Sequence, residues 1–541
     1  MIGGVTTPTR GPRTPTRRGL VASPHVLASE AGLTILRAGG NAVDAAIAAA
    51  ITIAVVYPHM NSIGGDSFWL IYDAAQGRLY GLNAAGRSAA AVSLEAYRAQ
   101  FGSIMPTRGG WAALTAPGTV GGWWSAHVLS RDTLGSPVPW SALFEDAVRH
   151  AGEGFSVSPG QRRVTAQAAP LFGDQAPEEV KRTFWPIYHP SQLGARFRQP
   201  ALATTLTRVA EGGADEFYRG DLGRRIAAGA KAAGSPLTEQ DLAEHRADWV
   251  EPLRIPYGHG EVASLPPPTQ GFAALALLKL LEGFDLAVLD EADYVHLVVE
   301  ATKLAFEDRD RYLADPTVVS VPVEHCLDAG RLDSRRARIS PRAAMAAAGP
   351  PAAGDTVAIV TADAAGNAVA VIQSTYHEFG AAVVAGDTGV LLQNRGASFS
   401  LDPSHPNCLA PRKRPAHTLI PSMYLVGGRP RLVYGTMGGD GQPQTQAALL
   451  TRIIDRGLSP QAAVEAPRWL YGRTWGERST ALRLESRFGE DVAATLRRWG
   501  HDVLAVEDWS DLMGHAQLIR LDEDGLTGSS DPRADGAALG W

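Results

Sequence analysis

Apolar residues near the start of the chain recur at helical spacing. Between residues 42 and 56 the positions i, i+3 and i+4 are apolar, and many of them are alanine. This pattern predicts a helix whose small side chains let another layer approach closely. The uncharged stretch 45–57 ends at Pro58, short of the roughly 20 residues that span a bilayer. We predict a buried helix here, preceded by another that begins at Ser23 and Pro24 and ends at Gly39.

Short alternating runs later in the chain predict β-hairpins. Residues 68–73 and 78–82 form one such pair, and residues 356–362 and 367–375 form a second, joined by a turn with Gly366 and Asn367. Residues 343–354 are small, apolar and proline-bearing, which is typical of a linker. Helical patterns at 273–281 and 294–311 lie between the hairpins. Strand pairs mixed with long helices indicate an α+β fold built in layers.

Composition narrows the class of protein. The 541 residues are 45% hydrophobic and 20% charged, as in an ordinary globular protein with a large core. Fifty basic and fifty-six acidic side chains give a net charge of −6, which argues against nucleic acid as a partner. The two cysteines, Cys326 and Cys408, have no metal-site spacing, so neither a disulfide framework nor a structural zinc site is expected.

The N-terminal segment is rich in arginine and proline and lacks the apolar region of a secretory signal. We therefore expect residues 1–22 to be a flexible basic leader on a cytoplasmic protein that has no membrane partner.

A glycine cluster is one candidate for chemistry. The chain has no GxxxxGK[ST], HExxH or GxSxG motif, but residues 435–441 read GTMGGDG. This string is either a simple turn or, if a nucleophile lies nearby, a place where the N–H groups of Gly438 and Gly439 stabilise an oxyanion.

The candidate nucleophile is Thr356, where the linker meets the second hairpin. If the bond between Asp355 and Thr356 were cut, Thr356 would gain a free α-amine that could serve as its own base. An α-amine has a pKa near 7.7–8.0, so much of it is neutral at working pH. The alternative is a β-branched residue that merely opens a strand.

Several segments, spread along the chain in a fixed order, favour the interpretation of Thr356 as a nucleophile. They are SPHVLASEAGLTILRAGGNAVDAA at the N-terminal end, APGTVGGW, FYRGDLGRRIA, PPPTQG, HLVVEATKLAFEDRDRYLADP and the C-terminal SSDPRADGAALG. Over some five hundred residues the chain resembles the γ-glutamyltransferase family of N-terminal-nucleophile hydrolases. The resemblance implies a four-layer αββα sandwich and a precursor that cuts itself into a large subunit, 23–355, and a small catalytic subunit, 356–541. It implies no cofactor and no metal.

The same resemblance assigns roles to five residues. It makes Asp355 and Thr356 the cleavage site and Thr356 the nucleophile, while Ser374 takes the place of a hydroxyl that hydrogen-bonds the nucleophile. Gly438 and Gly439 match the family's oxyanion glycines.

The substrate-binding positions differ from the family pattern. They are occupied here by Arg87, Tyr376, Arg395, Ser398, His417 and Thr418. Ser398 stands where the family has an aspartate, so a counter-charge for a substrate ammonium is lost. Arg395 adds a planar donor fork that suits a carboxylate. The alternatives are a structural ion-pair role for Arg395 and a packing role for His417.

The resemblance therefore predicts an enzyme, a hydrolase or transferase that cleaves a γ-glutamyl or other small carboxylate-bearing amide. The acyl group would pass through an ester on Thr356. One alternative is an oxamate amidohydrolase-type enzyme with no γ-glutamyl activity. Another is a binding protein that cannot cleave itself, because Val357 and Ala358 replace the family's usual Thr-His. The expected partners are the small-molecule substrate and the two subunits of the same precursor.

Two charged patterns are weaker candidates. His296 and Glu300 are spaced i, i+4 like half of a metal site, but the sequence offers no third ligand, so ordinary helix chemistry is the prediction. The run EDRDR at residues 307–311 is typical of a solvated helix face.

Overall fold

The computed structural model describes residues 15–541 except 174, 175, 193, 195, 347–354 and 473–478. Within this part of the chain, the strands β1 to β16 are, in order, Gly19–Ser23, Asp66–Asp73, Arg78–Ala84, Asp248–Val250, Leu253–Tyr257, Gly260–Ser264, Asp355–Asp363, Ala368–Tyr376, Ser422–Val426, Arg429–Thr436, Trp469–Tyr471, Leu482–Glu485, Val503–Val506, Ala516–Asp522, Gly525–Ser530 and Ala537–Gly540.

The helices α1 to α18 of the same part are, in order, Val26–Arg37, Ala42–Val56, Leu94–Phe101, Thr119–Asp132, Glu145–Glu153, Pro159–Phe172, Glu178–Thr183, Trp185–Tyr188, Pro200–Tyr218, Asp221–Ala232, Glu239–Ala243, Gly271–Leu281, Glu291–Tyr312, Val323–Cys326, Ala329–Arg336, Gln442–Ile454, Pro460–Glu465 and Glu490–Arg498.

Two antiparallel sheets form the centre of the fold. The first has seven strands in the order β16-β1-β7-β8-β2-β3-β4, and the second has six in the order β15-β14-β10-β9-β6-β5. Both sheets combine strands that precede Thr356 with strands that follow it. A cut before Thr356 would therefore leave two chains that each contribute strands to both sheets.

The predicted hairpins and the buried helix are confirmed. Strands β2 and β3 pair in antiparallel register, as do β7 and β8. Every residue of α2 is buried. Because side chains alternate across a strand, one face of β2, β7 and β8 packs in the same core as α2, and the opposite face packs against the second sheet.

The N-terminal expectations need correction. Residues 1–14 of the predicted leader lie outside the described residues, but Gly19–Ser23 forms a buried strand between β7 and β16, so a flexible leader cannot extend to residue 22. Helix α1 begins at Val26 with His25 as its N-cap, not at Ser23. The reason is that Ser23 belongs to β1, where its hydroxyl donates to the carbonyl of His25.

The predicted linker falls partly outside the described residues, since 347–354 are not covered. Residues 344–346 have no regular secondary structure. No helix among the described residues is both long and apolar enough to cross a bilayer.

Candidate active site

Thr356 lies at the head of the β7–β8 hairpin. The strands pair Asp355 with Tyr376 and Val357 with Gln373, and a bulge between these pairs holds Thr356 opposite the segment that contains Ser374. The Thr356 side chain is fully buried, and its Oγ1 has no hydrogen-bond partner among the described residues.

The hydroxyl of Ser374 accepts hydrogen bonds from two residues at this end of the sheet. Its Oγ accepts a hydrogen bond from the N–H of Tyr376 at 2.8 Å and a longer one from Nη2 of Arg395 at 3.4 Å. Tyr376 has a φ of 85°, which is a costly conformation for a residue with a side chain. The hydrogen bond that the Tyr376 N–H donates to Ser374 helps to hold this strained residue in place.

The glycine turn reaches the same region from the second sheet. It follows β10, where Gly435 lies so close to Ile372 and Ala358 that an added Cβ would come within 2.6 Å of Ile372 Cδ1. Gly438 and Gly439 then adopt φ values of 135° and 50°, which glycine tolerates and other residues rarely do. The second sheet thus brings the turn toward the start of β7.

A buried polar network holds the turn. The side-chain amide of Gln270 donates to the carbonyls of Gly439 and Thr418, at 3.1 and 3.0 Å. Arg309 Nη1 donates to Gln270 Oε1 and to Asp440 Oδ1, both at 3.3 Å.

Arg309 and its neighbour Asp308 are only 4% exposed, so the prediction of a solvated face for residues 307–311 is wrong at these two positions. Arg309 pairs with its chain neighbour Asp310, and the two buried residues also have partners on other elements, Asp440 for Arg309 and Arg331 for Asp308. A local charge pattern cannot reveal such partners.

Arg395 is the most unusual group of the site. Its side chain is completely buried, and it forms no ion pair with a carboxylate among the described side chains, which do not include that of Asp355. The guanidinium lies 4.1 Å from the centre of the Tyr376 ring, and Nη1 donates to Thr418 Oγ1 at 3.3 Å. Burial lowers the pKa of Arg395 to about 10, although the more distant Asp66 and Asp440 oppose the shift, so the group is still cationic at neutral pH.

His417 pairs with an acidic residue that the sequence analysis missed. Its Nε2 lies 3.2 Å from Oδ2 of Asp66, and both side chains are fully buried. Burial, and then the charge of Arg395, lower the pKa of His417 to about 4. Asp66 lies opposite Ser374 in the β2–β8 pairing. The sequence did contain one sign of it, an acidic residue at the head of a strongly apolar strand.

The remaining predicted substrate residues line one cavity. This cavity has a volume of about 1590 Å³ and is bordered by Tyr376, Ser398, Phe399, His417, Thr418 and Asp440. The Ser398 hydroxyl donates to the carbonyl of Ala416 at 3.0 Å. Ser398 therefore offers no charge to a ligand ammonium.

Arg87 does not lie with the other predicted substrate-binding residues. Its Nη1 lies 3.2 Å from Asp315 Oδ2 and also donates to Thr317 Oγ1 and the carbonyl of Arg412. Neither Arg87 nor the fully buried Arg395 is among the residues that border the cavity. The prediction that Arg87 binds substrate is therefore corrected, because its guanidinium is already paired with Asp315.

One cluster of potential metal ligands lies away from the cavity. His501 joins His296 and Glu300, which supplies the third ligand that the sequence did not reveal. The ligand atoms already have protein partners, however. His296 contacts His501 and the carbonyl of Ser340, both at 2.8 Å, and Glu300 pairs with Lys303 at 2.7 Å. A metal ion would have to displace the Lys303 ammonium, so the cluster fits a role in anchoring residues 340–345.

Comparisons with known proteins identify the family of the chain. Residues 28–541 match the sequence profile of the family described as Gamma-glutamyltranspeptidase. The chain is 45% identical over 524 residues to the oxamate amidohydrolase proenzyme of Klebsiella pneumoniae, an alignment that covers 97% of this chain and 98% of that protein. It is 43% identical over 527 residues to the glutathione hydrolase-like YwrD proenzyme of Bacillus subtilis, covering 96% of this chain and 98% of the relative.

Among solved structures, cephalosporin acylase from Bacillus halodurans superposes with a TM-score of 0.89 at 36% identity. The superposition covers 100% of this chain and 99% of the acylase.

Proposed function

The chain belongs to the gamma-glutamyltranspeptidase family, whose members act on amide bonds as hydrolases or transferases, and from this premise we propose that it is a self-processing amidohydrolase of short, carboxylate-bearing amides. The observation that carries the proposal is the buried guanidinium of Arg395 beside Ser374. This guanidinium has no carboxylate partner among the described side chains, which do not include that of Asp355. The enzyme class argues against the alternative of a cleavage-incompetent binding protein.

The buried positive charge of Arg395 favours the binding of an anionic ligand. A cation buried without a counter-charge is costly, and a bound carboxylate would supply that charge. A guanidinium presents parallel N–H donors that match the two oxygens of a carboxylate. Each charge-assisted hydrogen bond of this kind contributes about 1.5–3 kcal/mol.

The position of Arg395 favours a short acyl group. Its Nη2 is 3.4 Å from Ser374 Oγ, and Ser374 faces the bulge that holds Thr356. A carboxylate bound to Arg395 would therefore lie only a few bonds from the carbonyl that Thr356 attacks. In oxamate the carboxylate is attached directly to the amide carbonyl, whereas in a γ-glutamyl group three carbons separate them. A γ-glutamyl ammonium would also find no carboxylate at Ser398.

The proposed chemistry begins with maturation. Thr356 Oγ1 attacks the carbonyl of Asp355, the acyl group moves from nitrogen to oxygen, and water hydrolyses the resulting ester. The small chain then begins with Thr356, whose neutral amine accepts the proton of its own hydroxyl.

Turnover repeats the same attack on the substrate. Thr356 Oγ1 adds to the amide carbonyl while the N–H groups of Gly438 and Gly439 stabilise the oxyanion. The Thr356 ammonium donates its proton to the leaving amine, and an acyl ester remains. Water, deprotonated by the Thr356 amine, hydrolyses this ester and releases the acid. Ser374 orients the nucleophile in both steps.

The fold is proposed to be the four-layer αββα sandwich, shared between a large chain that ends at Asp355 and a small chain 356–541. This proposal is supported by the two sheets, each with strands from both sides of Thr356, and by the helices packed on β7 and β8. The cytoplasmic location expected from the N-terminal sequence stays a prediction.

The proposal is tested by the release of ammonia from oxamate. Arg395→Lys keeps the charge but loses the planar fork, Arg395→Met removes both, and Arg87→Ala is the matched control because the guanidinium of Arg87 pairs with Asp315 and does not contact Ser374. We expect kcat/KM to fall about tenfold or more for Lys, further for Met, and to stay near wild type for the Arg87 variant. Equal activity of all three variants would contradict the role of Arg395.

A further inference from the structure

Asp66 and His417 form a buried pair beside Arg395 that the proposed mechanism does not use. We infer that His417, oriented by Asp66, accepts a hydrogen bond from the N–H of the substrate amide and so makes the site selective for amides over esters. This inference rests on the proposed function. Asp66 acts through His417 and is a positioning residue.

The environment of Asp66 decides which nitrogen of His417 carries the proton. Asp66 Oδ1 accepts hydrogen bonds from the N–H groups of Gly86 and Gly118, at 2.9 and 3.1 Å, and from the amide of Gln393 at 2.9 Å. These three bonds fix the carboxylate and leave Oδ2 facing His417 Nε2 at 3.2 Å. The contact has an ion-pair distance without hydrogen-bond geometry, but the negative charge so close to Nε2 favours the proton on that nitrogen and leaves Nδ1 as the acceptor.

The imidazole stays neutral at working pH. The charged side chains that act on it are Arg395, Arg414 and Asp66, and the two arginines together with burial outweigh the carboxylate. With a pKa of about 4, His417 presents an uncharged Nδ1 with an available lone pair. Both ring nitrogens are buried, and neither has a hydrogen-bond partner among the described residues. Since Nε2 lies against the Asp66 carboxylate, Nδ1 is the nitrogen left for a ligand.

The unpartnered atoms of the site complement an amide acid. Among the described residues, neither Arg395 Nε, a buried donor, nor His417 Nδ1, a buried acceptor, has a hydrogen-bond partner. A simple carboxylate would satisfy the first and not the second. A carboxylate joined to an amide supplies an acceptor for Arg395 and an N–H donor for His417, so both buried groups would be paired.

A packing role for His417 makes a different prediction. The edge of its ring contacts Phe68, with ring centres 4.7 Å apart. If packing were its whole contribution, variants of the pair would impair all substrates alike. Selectivity between an amide and an ester separates the two roles.

The first experiment uses two substrates of the same shape, N-methyloxamate and the monomethyl ester of oxalate, which differ by N–H against O. The amide-to-ester ratio of kcat/KM is measured in wild type and in Asp66→Asn. The side-chain amide introduced by this substitution would donate to Nε2, which drives the proton to Nδ1 and turns the acceptor into a donor. We expect the ratio to fall about tenfold, because the comparison between enzymes cancels the intrinsic reactivity of the ester.

Phe68→Leu is the control, since it alters packing against the same ring and leaves Asp66 in place. It should lower both rates together and keep the ratio. A ratio that stays constant in Asp66→Asn, or that falls equally in the control, would overturn the inference.

A second measurement does not depend on turnover. The ¹⁵N chemical shifts of the His417 ring in labelled protein report which nitrogen is protonated. We expect Nε2–H in wild type and Nδ1–H in Asp66→Asn, and Nδ1–H in wild type would overturn the inference. If neither oxalyl compound is cleaved, the proposed function fails, while the ring protonation still decides the role of the pair.

Discussion

Arg395 and Ser374 meet at the head of the β7–β8 hairpin, where Nη2 of the arginine lies 3.4 Å from Oγ of the serine. The contact places a buried positive charge beside the hydroxyl that faces the nucleophile's segment. The contact therefore joins two proposed functions. Ser374 would orient Thr356, and Arg395 would select an acyl group that carries a negative charge.

Self-cleavage is the first expected outcome. Purified wild-type protein should contain two chains, and the smaller should begin Thr-Val-Ala-Ile-Val, because only cleavage before Thr356 creates the amine that serves as base. Thr356→Ala should remain a single 57.2 kDa chain without activity. Mass spectrometry and N-terminal sequencing measure both results. An uncut wild-type chain with full activity would contradict the mechanism.

Ser374→Ala separates orientation from nucleophilic attack. The variant loses the hydroxyl that accepts from Tyr376 and Arg395 but keeps Thr356. We expect kcat on mature enzyme to fall about tenfold to a hundredfold with a smaller change in KM, because the interaction acts mainly in the transition state. Loss as complete as that of Thr356→Ala would mean that the nucleophile is misassigned.

Gln270 should affect catalysis without touching the substrate. Its side chain donates to the carbonyl of Gly439, and Gln270→Leu would release the turn that carries the oxyanion glycines. Losing one well-placed oxyanion donor costs about 3 kcal/mol, so a loosened turn should lower kcat by at least tenfold and leave KM nearly unchanged. Steady-state kinetics on oxamate measure this. A change confined to KM would show that Gln270 contributes to binding instead.

Acid should destabilise the protein through its buried histidines. Burial lowers the pKa values of His25 and His501 to about 3 and of His245 to about 4, from an ordinary value of 6.5. At pH values between the lowered pKa of each histidine and 6.5, the unfolded chain binds protons that the folded chain does not. Stability is therefore present above pH 6.5 and falls as the pH drops toward 4, by about 1.4 kcal/mol per pH unit for each histidine.

Thermal melting of the single-chain Thr356→Ala protein between pH 7 and 4 measures this loss. His245→Gln should flatten the profile, and His325→Gln, at an exposed position, should leave it unchanged. A profile that does not depend on His245 would show that other groups control the acid sensitivity.

Local patterns predicted much of the fold. The periodicity of α2 and the alternating runs of β2, β3, β7 and β8 were sufficient, because each depends on which faces of a single element are buried. The early strand Gly19–Ser23 was missed. Its neighbours β7 and β16 lie hundreds of residues away, so nothing in the adjacent sequence indicates the pairing.

The site was predicted only in part. Ser374 and Arg395 are in contact, but the hydrogen bond from Ser374 to Thr356 that the resemblance implies is not formed, since Thr356 Oγ1 has no partner among the described residues. The pairing of Arg87 with Asp315 depends on a contact between distant segments. Asp66 was missed for the same reason, since its function arises from His417, which is 351 residues away in the chain. Such partners become visible only in three dimensions.

The central claim is that the mature enzyme selects a short acyl group by its carboxylate. The most direct test is kcat/KM for oxamate against kcat/KM for γ-glutamyl p-nitroanilide on the same preparation of wild-type enzyme. We expect a higher value for oxamate, because its carboxylate reaches Arg395 from the carbonyl at Thr356 and the molecule carries no ammonium. A tenfold or greater preference for the γ-glutamyl substrate would contradict it.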